Sequence, residues 1–252
     1  MEFGLAGKNV LVTGSTKGLG EAAVRIFAQE GANVIVSGRS RDLAAKLAED
    51  ISLKYGVKAV GIPADLGEKG AADRLFDESI KALGSLDVLV NNAGIWPTAY
   101  VREMTEEEFE RTIYMNLEVP FILSKRMVNH LIESDRKGKI IQVVSQAAFH
   151  GSTTGHAHYA ASKAGLVTFM KSLAREVAGY GINVNGVAPG MMETPMTKDA
   201  LDSKADYYNS RIPIGRVAAP EEVAYPIVYL ASDKADYLTG ITIDATGGML
   251  MR

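Results

Sequence analysis

Seven short apolar runs alternate along the chain with longer amphipathic stretches. Each run ends in Gly, Ser, Asn or Asp, and the runs are KNVLVTG, NVIVSG, KAVGIPAD, LDVLVNNAG, GKIIQVVS, INVNGVAPG and GITIDATGG. In the stretches between them, such as GEAAVRIFAQEGA, apolar residues recur every three to four positions, which is typical of amphipathic helices. The alternation predicts an α/β fold, a doubly wound parallel sheet of about seven strands with helices on both faces.

Domain organisation and composition narrow the picture further. No internal repeat or low-complexity linker interrupts the chain, so we predict a single domain over residues 1–252, with a mobile substrate loop at about 190–216. A hydrophobic content of 47% predicts an ample core, and the net charge of -3 gives no reason to expect a nucleic-acid partner. We find no apolar membrane span and no export signal, so we expect a cytoplasmic protein. The chain has no cysteine, which excludes disulfides, thiolate catalysis and cysteine-based zinc sites.

A glycine-rich turn, VTGSTKGLG, follows the first predicted strand. Gly14, Gly18 and Gly20 would let the backbone turn tightly and approach a pyrophosphate, whose charge would face a helix beginning near Leu19. The G-x-x-x-G-x-G spacing differs from the common G-x-G-x-x-G fingerprint, and a turn without a ligand remains an alternative. The position between a strand and a helix nevertheless favours a dinucleotide site.

The end of the second predicted strand, VSGRSR, favours NADP(H) over NAD(H). An NAD site places a carboxylate about 20 residues past the glycines, and this chain has Gly38 there. Arg39 offers a planar fork for a 2′-phosphate, and Lys17 is a second cation within reach. Either cation alone is usually a solvated surface charge, but both together with the missing acid predict NADP(H).

Tyr159 and Lys163 lie four positions apart in YAASK, at what reads as the first turn of a helix. Their side chains therefore share one face of that helix. Such a pair is most often part of a half-buried helix face. However, a free phenol has a pKa near ~10 and is a poor base at neutral pH, so a neighbouring ammonium would stabilise its phenolate.

Taken together, the motifs resemble the short-chain dehydrogenase/reductase family. They are TGSTKGLG, NNAG at 91–94, Asn116 in YMNLEVPF, Ser145 in IIQVVS, YAASK at 159–163 and APGMMET at 188–194. The resemblance runs from about residue 4 to the final TGGMLMR, and it is closest to 3-oxoacyl-carrier-protein reductases and related NADP-dependent carbonyl reductases. It implies a Rossmann-type domain, NADP(H), and hydride transfer between nicotinamide and a carbonyl or secondary alcohol.

The resemblance also implies roles for individual residues. Tyr159 would be the acid/base, Ser145 would hold the carbonyl oxygen, Lys163 would bind the nicotinamide ribose, and Asn116 would support a proton-relaying water. The implied cofactor contacts are Gly14, Ser15, Thr16, Lys17, Gly18, Leu19, Gly20, Arg39, Ser40, Asp65, Leu66, Asn92, Ala93, Gly94, Tyr159, Lys163, Pro189, Gly190, Met192 and Thr194. The expected substrate contacts are Ser145, Tyr159, Trp96 and Met191.

Two kinds of substrate remain open. An apolar, adaptable pocket would suit a small hydrophobic ketone, and its expected members are Trp96, Phe149, Met191, Met192, Met196, Tyr207 and Tyr208. The alternative is a 3-oxoacyl-carrier-protein reductase of fatty acid synthesis. Reductases that dock an acidic carrier place arginines beside the cleft, and the matching positions here are Arg136 and Tyr180, with Lys137 and Lys139 nearby. Only one of the two arginines is kept, which weakens the carrier interpretation.

Other classes of function receive less support. His150, His156 and His158 precede Tyr159, but without a carboxylate pattern or H-E-x-x-H spacing we predict no metal site; one or two of them should border the substrate entrance. A serine hydrolase would need G-x-S-x-G, which the chain lacks. A non-catalytic dinucleotide sensor stays open, although it should lack part of the catalytic set. The resemblance, together with apolar-faced helices near 105–132 and 159–180, predicts a homotetramer.

Overall fold

The computed structural model describes residues 2–152 and 155–252, without the side chain of Lys204. Within these residues seven strands form one parallel sheet in the order β3-β2-β1-β4-β5-β6-β7. The strands are β1 (Asn9–Val12), β2 (Asn33–Gly38), β3 (Ala59–Pro63), β4 (Val88–Asn91), β5 (Gly138–Val143), β6 (Ile182–Pro189) and β7 (Thr242–Ala245). Each of the seven apolar runs supplies one strand, which confirms the predicted sheet.

Helices cover both faces of the sheet, as the sequence predicts. In chain order they are α1 (Gly18–Gln29), α2 (Arg41–Tyr55), α3 (Ala71–Leu83), α4 (Glu106–Ile113), α5 (Val119–Glu133), α6 (Ala147–His150), α7 (Ala157–Val177), α8 (Lys198–Asn209) and α9 (Pro220–Ala231). The core on one face contains residues of α1, α2 and α9, and the core on the other contains residues of α3, α5 and α7. None of the helices in the described ranges is long and apolar enough to cross a membrane.

Alternation along the central strands builds these two cores. In β1, Val10 and Val12 pack against α1 and its neighbours, while Leu11 belongs to the opposite core. Ile35 of β2 points to the same face as Leu11. Successive side chains of a strand point to opposite faces, so a strand covered on both sides must be apolar throughout. This explains why the runs in the sequence are continuous rather than alternating.

Two expectations about long segments were incomplete. Residues 190–216 read as irregular, but they contain the 12-residue helix α8. The helix predicted near 105–132 is interrupted by a π-helical segment, Tyr114–Glu118, that joins α4 to α5. A π turn inserts about one extra residue, and apolar periodicity over two joined helices does not reveal such a shift. The helix predicted near 159–180 is α7, which is followed by a 3₁₀ turn, Ala178–Tyr180.

The edge of the sheet formed by the amino ends of the strands differs from the edge formed by their carboxyl ends. The amino ends of the strands are held by ion pairs, one between Arg136 and Asp87 at 2.6 Å and another between Lys139 and Asp236. Arg136 precedes β5, and Tyr180 precedes β6. The six residues of β5 span about 20 Å, so both positions lie far from the carboxyl ends of the strands. The expectation that Arg136 stands beside the cleft of its own chain is therefore wrong.

Candidate active site

A cleft of about 950 Å³ runs along the carboxyl edge of the sheet. It brings together most of the side chains that the sequence analysis selected. Among its lining residues are Gly14, Thr16, Lys17, Gly18, Leu19, Gly20, Arg39, Asp65, Leu66, Asn92, Ala93, Gly94, Trp96, Ser145, Tyr159, Lys163, Pro189, Gly190, Met191, Met192 and Thr194. Apart from Tyr159 and Lys163 of α7, these residues lie at or after the ends of six different runs, so their convergence depends on the parallel arrangement of the strands.

The glycine turn after β1 has the geometry that a phosphate site requires. Gly14 and Gly18 adopt φ values of 63° and 59°, a left-handed conformation that favours glycine. A Cβ on Gly20 would lie 2.4 Å from the backbone oxygen of Gly14, so no larger residue fits there. Helix α1 begins at Gly18, and no side chain caps its N-terminus. Its first N–H groups can therefore bind an anion.

The segment after β4 holds this turn in place. The amide of Asn92 donates to the backbone oxygens of Thr13 and Gly14 at 2.8 and 3.1 Å. The hydroxyl of Thr13 in turn accepts from the backbone N–H groups of Asn92 and Ala93 at 3.0 and 2.9 Å. Thr13 was not selected from the sequence, where a threonine at the end of a strand gives no signal of such a role.

Two serines that the family resemblance implied as cofactor contacts do not line the cleft. Ser15 is fully buried, and its hydroxyl donates to the backbone oxygen of Val12 at 2.7 Å while accepting from the N–H of Ser37 at 2.9 Å. Ser40 caps α2 by accepting from the N–H of Leu43. The hydroxyl of Ser15 holds β1 to β2, so that expectation is corrected. The hydroxyl of Ser40 is exposed and keeps its proton for a further acceptor, so its contact with the cofactor stays a prediction.

The end of β2 keeps the features that favour a 2′-phosphate. Lys17 and Arg39 are exposed and both line the cleft. A Cβ on Gly38 would lie 2.6 Å from the hydroxyl oxygen of Thr16, so Thr16 occupies the space beside this glycine. An acidic side chain at position 38 would therefore require Thr16 to move.

Tyr159, Lys163 and Ser145 form the reactive part of the cleft. Tyr159 lies in the first turn of α7, and the Lys163 Nζ atom lies 5.9 Å from the centre of its ring. Nζ donates to the backbone oxygen of Val143 at 2.7 Å, and burial lowers the pKa of Lys163 to about 8. Burial raises the pKa of Tyr159, while a hydrogen bond with Ser145 acts in the opposite direction. The phenol is therefore protonated at neutral pH and sits beside a buried amine and a hydroxyl.

Asn116 lies between the segment after β4 and α7. Its side chain is completely buried and does not line the cleft. The Oδ1 atom accepts from the N–H of Ile95 at 2.9 Å, and Nδ2 donates to the carbonyl of Ile95 at 3.0 Å and to the hydroxyl of Ser162 at 3.2 Å. The side chain thus joins the segment after β4 to α7. Through these contacts Asn116 is a positioning residue, and its implied support of a proton-relaying water stays a prediction.

The substrate end of the cleft agrees in part with the expected pocket. Trp96, Met191, Met192, Met196, Tyr207 and Tyr208 line it. Phe149 does not, since its ring lies under the guanidinium of Arg252 at 3.5 Å. His150 and His156 border the cleft, whereas His158, in the first turn of α7, is completely buried. Among the residues that the structure describes, no group of three or more His, Cys, Asp or Glu could hold a metal ion.

Several lining residues were not selected in the sequence analysis, and Gln146 and Met249 are two of them. Gln146 directly follows Ser145, and its Nε2 atom contacts the Met249 sulfur at 3.8 Å. Met249 lies near the C-terminus and reaches the cleft only because β7 pairs with β6. Neither residue belongs to a motif, and no local pattern could have selected them.

The segment after β6 closes over the glycine turn. Thr197 binds the backbone oxygens of Met192 and Thr194, and its hydroxyl also accepts from the N–H of Thr194 at 3.2 Å. A Cβ on Gly18 would lie 3.4 Å from the methyl group of Thr194. Thr194 therefore packs directly against the turn that would hold the pyrophosphate.

Comparisons with known proteins agree with this geometry. Residues 14–250 match the family model described as enoyl-(acyl carrier protein) reductase. The chain is 39% identical over 249 residues to 3-oxoacyl-[acyl-carrier-protein] reductase of Aquifex aeolicus, covering 99% of this chain and 100% of that protein. It is 37% identical over 253 residues to L-rhamnose 1-dehydrogenase (NAD(P)(+)) of Azotobacter vinelandii, covering 98% of each.

Solved structures show the same relationship. A short-chain type dehydrogenase/reductase from Mycobacterium marinum superposes with a TM-score of 0.93 at 32% identity, covering 100% of this chain and 98% of that one. A putative NAD(P)-dependent gluconate 5-dehydrogenase from Beutenbergia cavernae, which contains NADP at low occupancy, has a TM-score of 0.92 at 35% identity and covers 99% of both chains. Because the similarity extends over nearly the whole of each protein, the chain belongs to the short-chain dehydrogenase/reductase family, whose members are oxidoreductases that act on alcohol and carbonyl groups.

Proposed function

We propose that this protein reduces a ketone to a secondary alcohol with NADPH, and catalyses the reverse oxidation, in the cleft at the carboxyl edge of the sheet. The observation that carries this proposal is the grouping of Tyr159, Ser145 and Lys163 within one cleft that also contains the glycine turn. A proton donor, a hydrogen-bond donor and a cation are thereby placed within reach of one carbonyl group.

The residues that line the cleft suit NADP(H). The turn from Gly14 to Gly20 leads into α1, whose first N–H groups have no side-chain cap and can bind a pyrophosphate. Lys17 and Arg39 offer two cations to a 2′-phosphate, and Gly38 offers no competing acid. The B. cavernae relative, which contains NADP, supports the same assignment. When bound, the reduced nicotinamide supplies the hydride.

The protein's own residues would handle the proton and the charge. In the reductive direction the Tyr159 hydroxyl donates its proton to the carbonyl oxygen, and the Ser145 hydroxyl donates a hydrogen bond to the same oxygen. Lys163 stabilises the phenolate that remains, because its Nζ atom lies 5.9 Å from the ring centre in a buried environment. In the oxidative direction Tyr159 accepts the proton again.

As the substrate we propose a 3-oxoacyl thioester. Several relatives, including the A. aeolicus enzyme, are named as reductases of this class. Met191, Met196 and Met249 supply flexible apolar surface for an acyl chain. Docking of a carrier protein is not part of the proposal, because Arg136 is bound to Asp87 at the opposite edge of the sheet. A small hydrophobic ketone is the second candidate, favoured by the aromatic rings of Trp96 and Tyr208 at the substrate end.

The test measures NADPH oxidation by absorbance with acetoacetyl-pantetheine thioester and with a panel of small ketones. Tyr159→Phe keeps the ring and removes the proton donor, so turnover should fall by about 10²-fold or more while NADPH binding is kept. Tyr180→Phe is the matched control, because Tyr180 lies exposed at the amino edge, and it should keep the wild-type rate. If Tyr159→Phe retained most of the rate with the best substrate, the proposed chemistry would be wrong. NADPH binding without turnover of any ketone would instead indicate a dinucleotide sensor.

A further inference from the structure

The short helix α6 begins two residues after Ser145 and contacts its hydroxyl. The backbone N–H of Ala147, the first residue of α6, donates to the Ser145 hydroxyl oxygen at 3.2 Å. A hydroxyl has two lone pairs and one hydrogen, so this contact fills one lone pair and limits the directions in which the hydrogen can point. The direction in which Ser145 donates to a substrate oxygen therefore depends on where α6 lies.

Helix α6 has only four residues and needs support from its surroundings. A single helical turn is not stable by itself, because its formation fixes several residues for one hydrogen bond. The start of α6 is held to β6, since the N–H of Gln146 donates to the backbone oxygen of Pro189 at 3.2 Å. Near its other end, Phe149 packs against a small core cluster that contains Val144 and Val167.

Arg252 covers the ring of Phe149 and ties it to the sheet. Its guanidinium carbon lies 3.5 Å from the centre of the ring, within the range of a cation–π contact. The Nη2 and Nε atoms of the same group donate to Oδ1 of Asp244 at 2.7 and 3.2 Å. Asp244 belongs to β7, which pairs with β6. The start of α6 is thus joined to β6 and its other end, through Arg252, to β7.

The segment that carries Arg252 is itself anchored. The hydroxyl of Thr246 accepts from the N–H of Leu250 at 3.1 Å, and the carbonyl of Gly247 accepts from the N–H of Ile214 at 3.1 Å. Fully exposed ion pairs contribute little to stability. Here, however, only 33% of the Arg252 side chain is exposed, and one guanidinium makes an ion pair and a ring contact at once. Arg252 can therefore act as a clamp on α6.

We propose that Arg252 is a positioning residue for the carbonyl reduction. By clamping Phe149 to Asp244, it holds α6 where the N–H of Ala147 directs the Ser145 hydroxyl toward the substrate oxygen. The inference rests on the proposed role of Ser145 as a hydrogen-bond donor and not on the identity of the substrate. Neither Arg252 nor Phe149 lines the cleft, so the clamp acts on the reaction through α6.

The first experiment is a double-mutant cycle on kcat/KM for the ketone that the wild type reduces best. Arg252→Met keeps an apolar stem and removes the guanidinium, and it should lower kcat/KM by about 10-fold. Ser145→Ala removes the donor itself and should cost about 10²-fold or more. In the Ser145→Ala background, Arg252→Met should cost less than about 2-fold, because no hydroxyl remains to be directed. The Kd of NADPH, measured by fluorescence titration, should be the same with and without Arg252→Met.

Arg126→Met is the matched control. Arg126 also binds aspartates, Asp73 and Asp77, and also lies over a phenylalanine ring, that of Phe76, at 5.2 Å. Its side chain is 34% exposed, against 33% for Arg252, and it does not line the cleft. Arg126→Met should keep kcat/KM within about 2-fold of the wild type. An equal loss in this control would overturn the inference, because the effect would be a general one.

Other outcomes of the cycle separate α6 from its neighbours. Met249 lies three positions before Arg252 and lines the cleft, so Arg252→Met could alter the substrate pocket instead of Ser145. In that case the loss would be the same with and without the Ser145 hydroxyl, and the inference would be overturned. No loss in the wild-type background would overturn it as well. Arg252→Lys keeps a cation for Asp244 and should recover part of the rate.

A second measurement needs neither substrate nor turnover. A crystal structure of Arg252→Met should show Phe149 displaced and the distance from the Ala147 nitrogen to the Ser145 hydroxyl oxygen increased beyond about 3.5 Å. An unchanged contact there would overturn the inference, whereas a wild type that reduces no ketone would overturn the proposed function instead. If Arg252→Met does not fold, Phe149→Leu removes the ring that the guanidinium covers, and it should show the same non-additivity with Ser145→Ala. Additive losses for Phe149→Leu would overturn the inference.

Discussion

Replacing Lys163 with methionine should make the protein more stable and nearly inactive. Lys163 is 4% exposed, and burial lowers its pKa from 10.5 to about 8. At neutral pH the folded protein must therefore keep a charge in a site that disfavours it. Methionine fills the space of the lysine stem without the charge. The proposed function nevertheless requires the ammonium, so we expect a direct exchange of stability for activity at this one position.

The size of the effect follows from the shift in pKa. A difference of 2.5 between 10.5 and about 8 corresponds to about 3.4 kcal/mol at ~1.36 kcal/mol for each unit. The variant also loses the hydrogen bond from Nζ to Val143, which is worth about 1 kcal/mol. At pH 7 we therefore expect the free energy of unfolding of Lys163→Met to exceed that of the wild type by about 2 kcal/mol.

The pH dependence has a definite sign. Below pH 8 the lysine is protonated in both folded and unfolded chains, and the full cost of burial is present. Between pH 8 and 10.5 the folded protein releases the proton while the unfolded chain keeps it, so the stability of the wild type rises with pH. At pH 9 this rise is about 1.4 kcal/mol. The advantage of the variant should therefore shrink to about 1 kcal/mol.

The assay is urea unfolding at pH 7 and pH 9, at one protein concentration, because association also affects apparent stability. Lys171→Met is the control, since Lys171 is exposed on the same helix, and its change should stay within about 0.5 kcal/mol at both pH values. A Lys163→Met protein that is less stable than the wild type at pH 7, or a difference that does not change between the two pH values, would refute the reasoning.

Three further predictions concern the cofactor, the packing of the site and assembly. NADPH should be preferred over NADH in kcat/KM, and the triple change Thr16→Gly, Gly38→Asp and Arg39→Leu should reverse this preference. Thr16 is included because it occupies the space that an acid at position 38 needs. Equal efficiency of the wild type with both cofactors would contradict the prediction. Gly94→Ala should lower turnover by about 10-fold, because a Cβ there would lie 3.0 Å from Oδ1 of Asn116 and 3.6 Å from Nζ of Lys163. An unchanged steady-state rate would contradict this prediction, because it would mean that these side chains shift without cost to catalysis. Light scattering should give a tetramer of 108 kDa from chains of 27.0 kDa. Phe121 of α5 is 45% exposed and contacts Phe169 of α7, which gives these two helices an apolar face suited to pairing. The mass of a single chain at micromolar concentration would exclude the tetramer.

The sheet and the cleft could be predicted because their signals are local. Gly14, Asn92, Ser145 and Pro189 each stand at or just beyond the end of an apolar run. Once the runs form a parallel sheet, their carboxyl ends must meet at one edge, so these residues must lie close together. The predicted cleft needs no knowledge of which strands are neighbours. The order of the strands changes the shape of the cleft but not the set of residues that line it.

Contacts between distant residues could not be predicted in this way. The partners of Asn116 depend on the π-helical segment, which changes which residues face inward without altering the overall pattern of apolar positions. Arg136 binds Asp87, 49 residues away, and nothing in either neighbourhood indicates that pair. Ser15 has the residue type of a phosphate contact, but its hydroxyl is used by the backbone.

The histidines that precede Tyr159 illustrate the same limit. Three histidines stand close together in the sequence, and their spacing does not show which of them reaches the cleft. The contact with Trp96 and the hydrogen bond to Pro97 decide this, and both join His156 to a segment about 60 positions earlier. The nature of a substrate contact is therefore set by the fold more than by any motif.

The separation between the amino and carboxyl ends of the strands affects which substitutions this protein can tolerate. Ion pairs such as that between Arg136 and Asp87 tie together the amino ends of the strands, while substrate and cofactor would bind about 20 Å away at the carboxyl ends. Substitutions separated by more than about 10 Å usually have additive effects. New specificities can therefore be selected at one end without loss of the contacts that hold the other, and stabilising changes at the amino edge would widen the range of cleft substitutions that the fold tolerates.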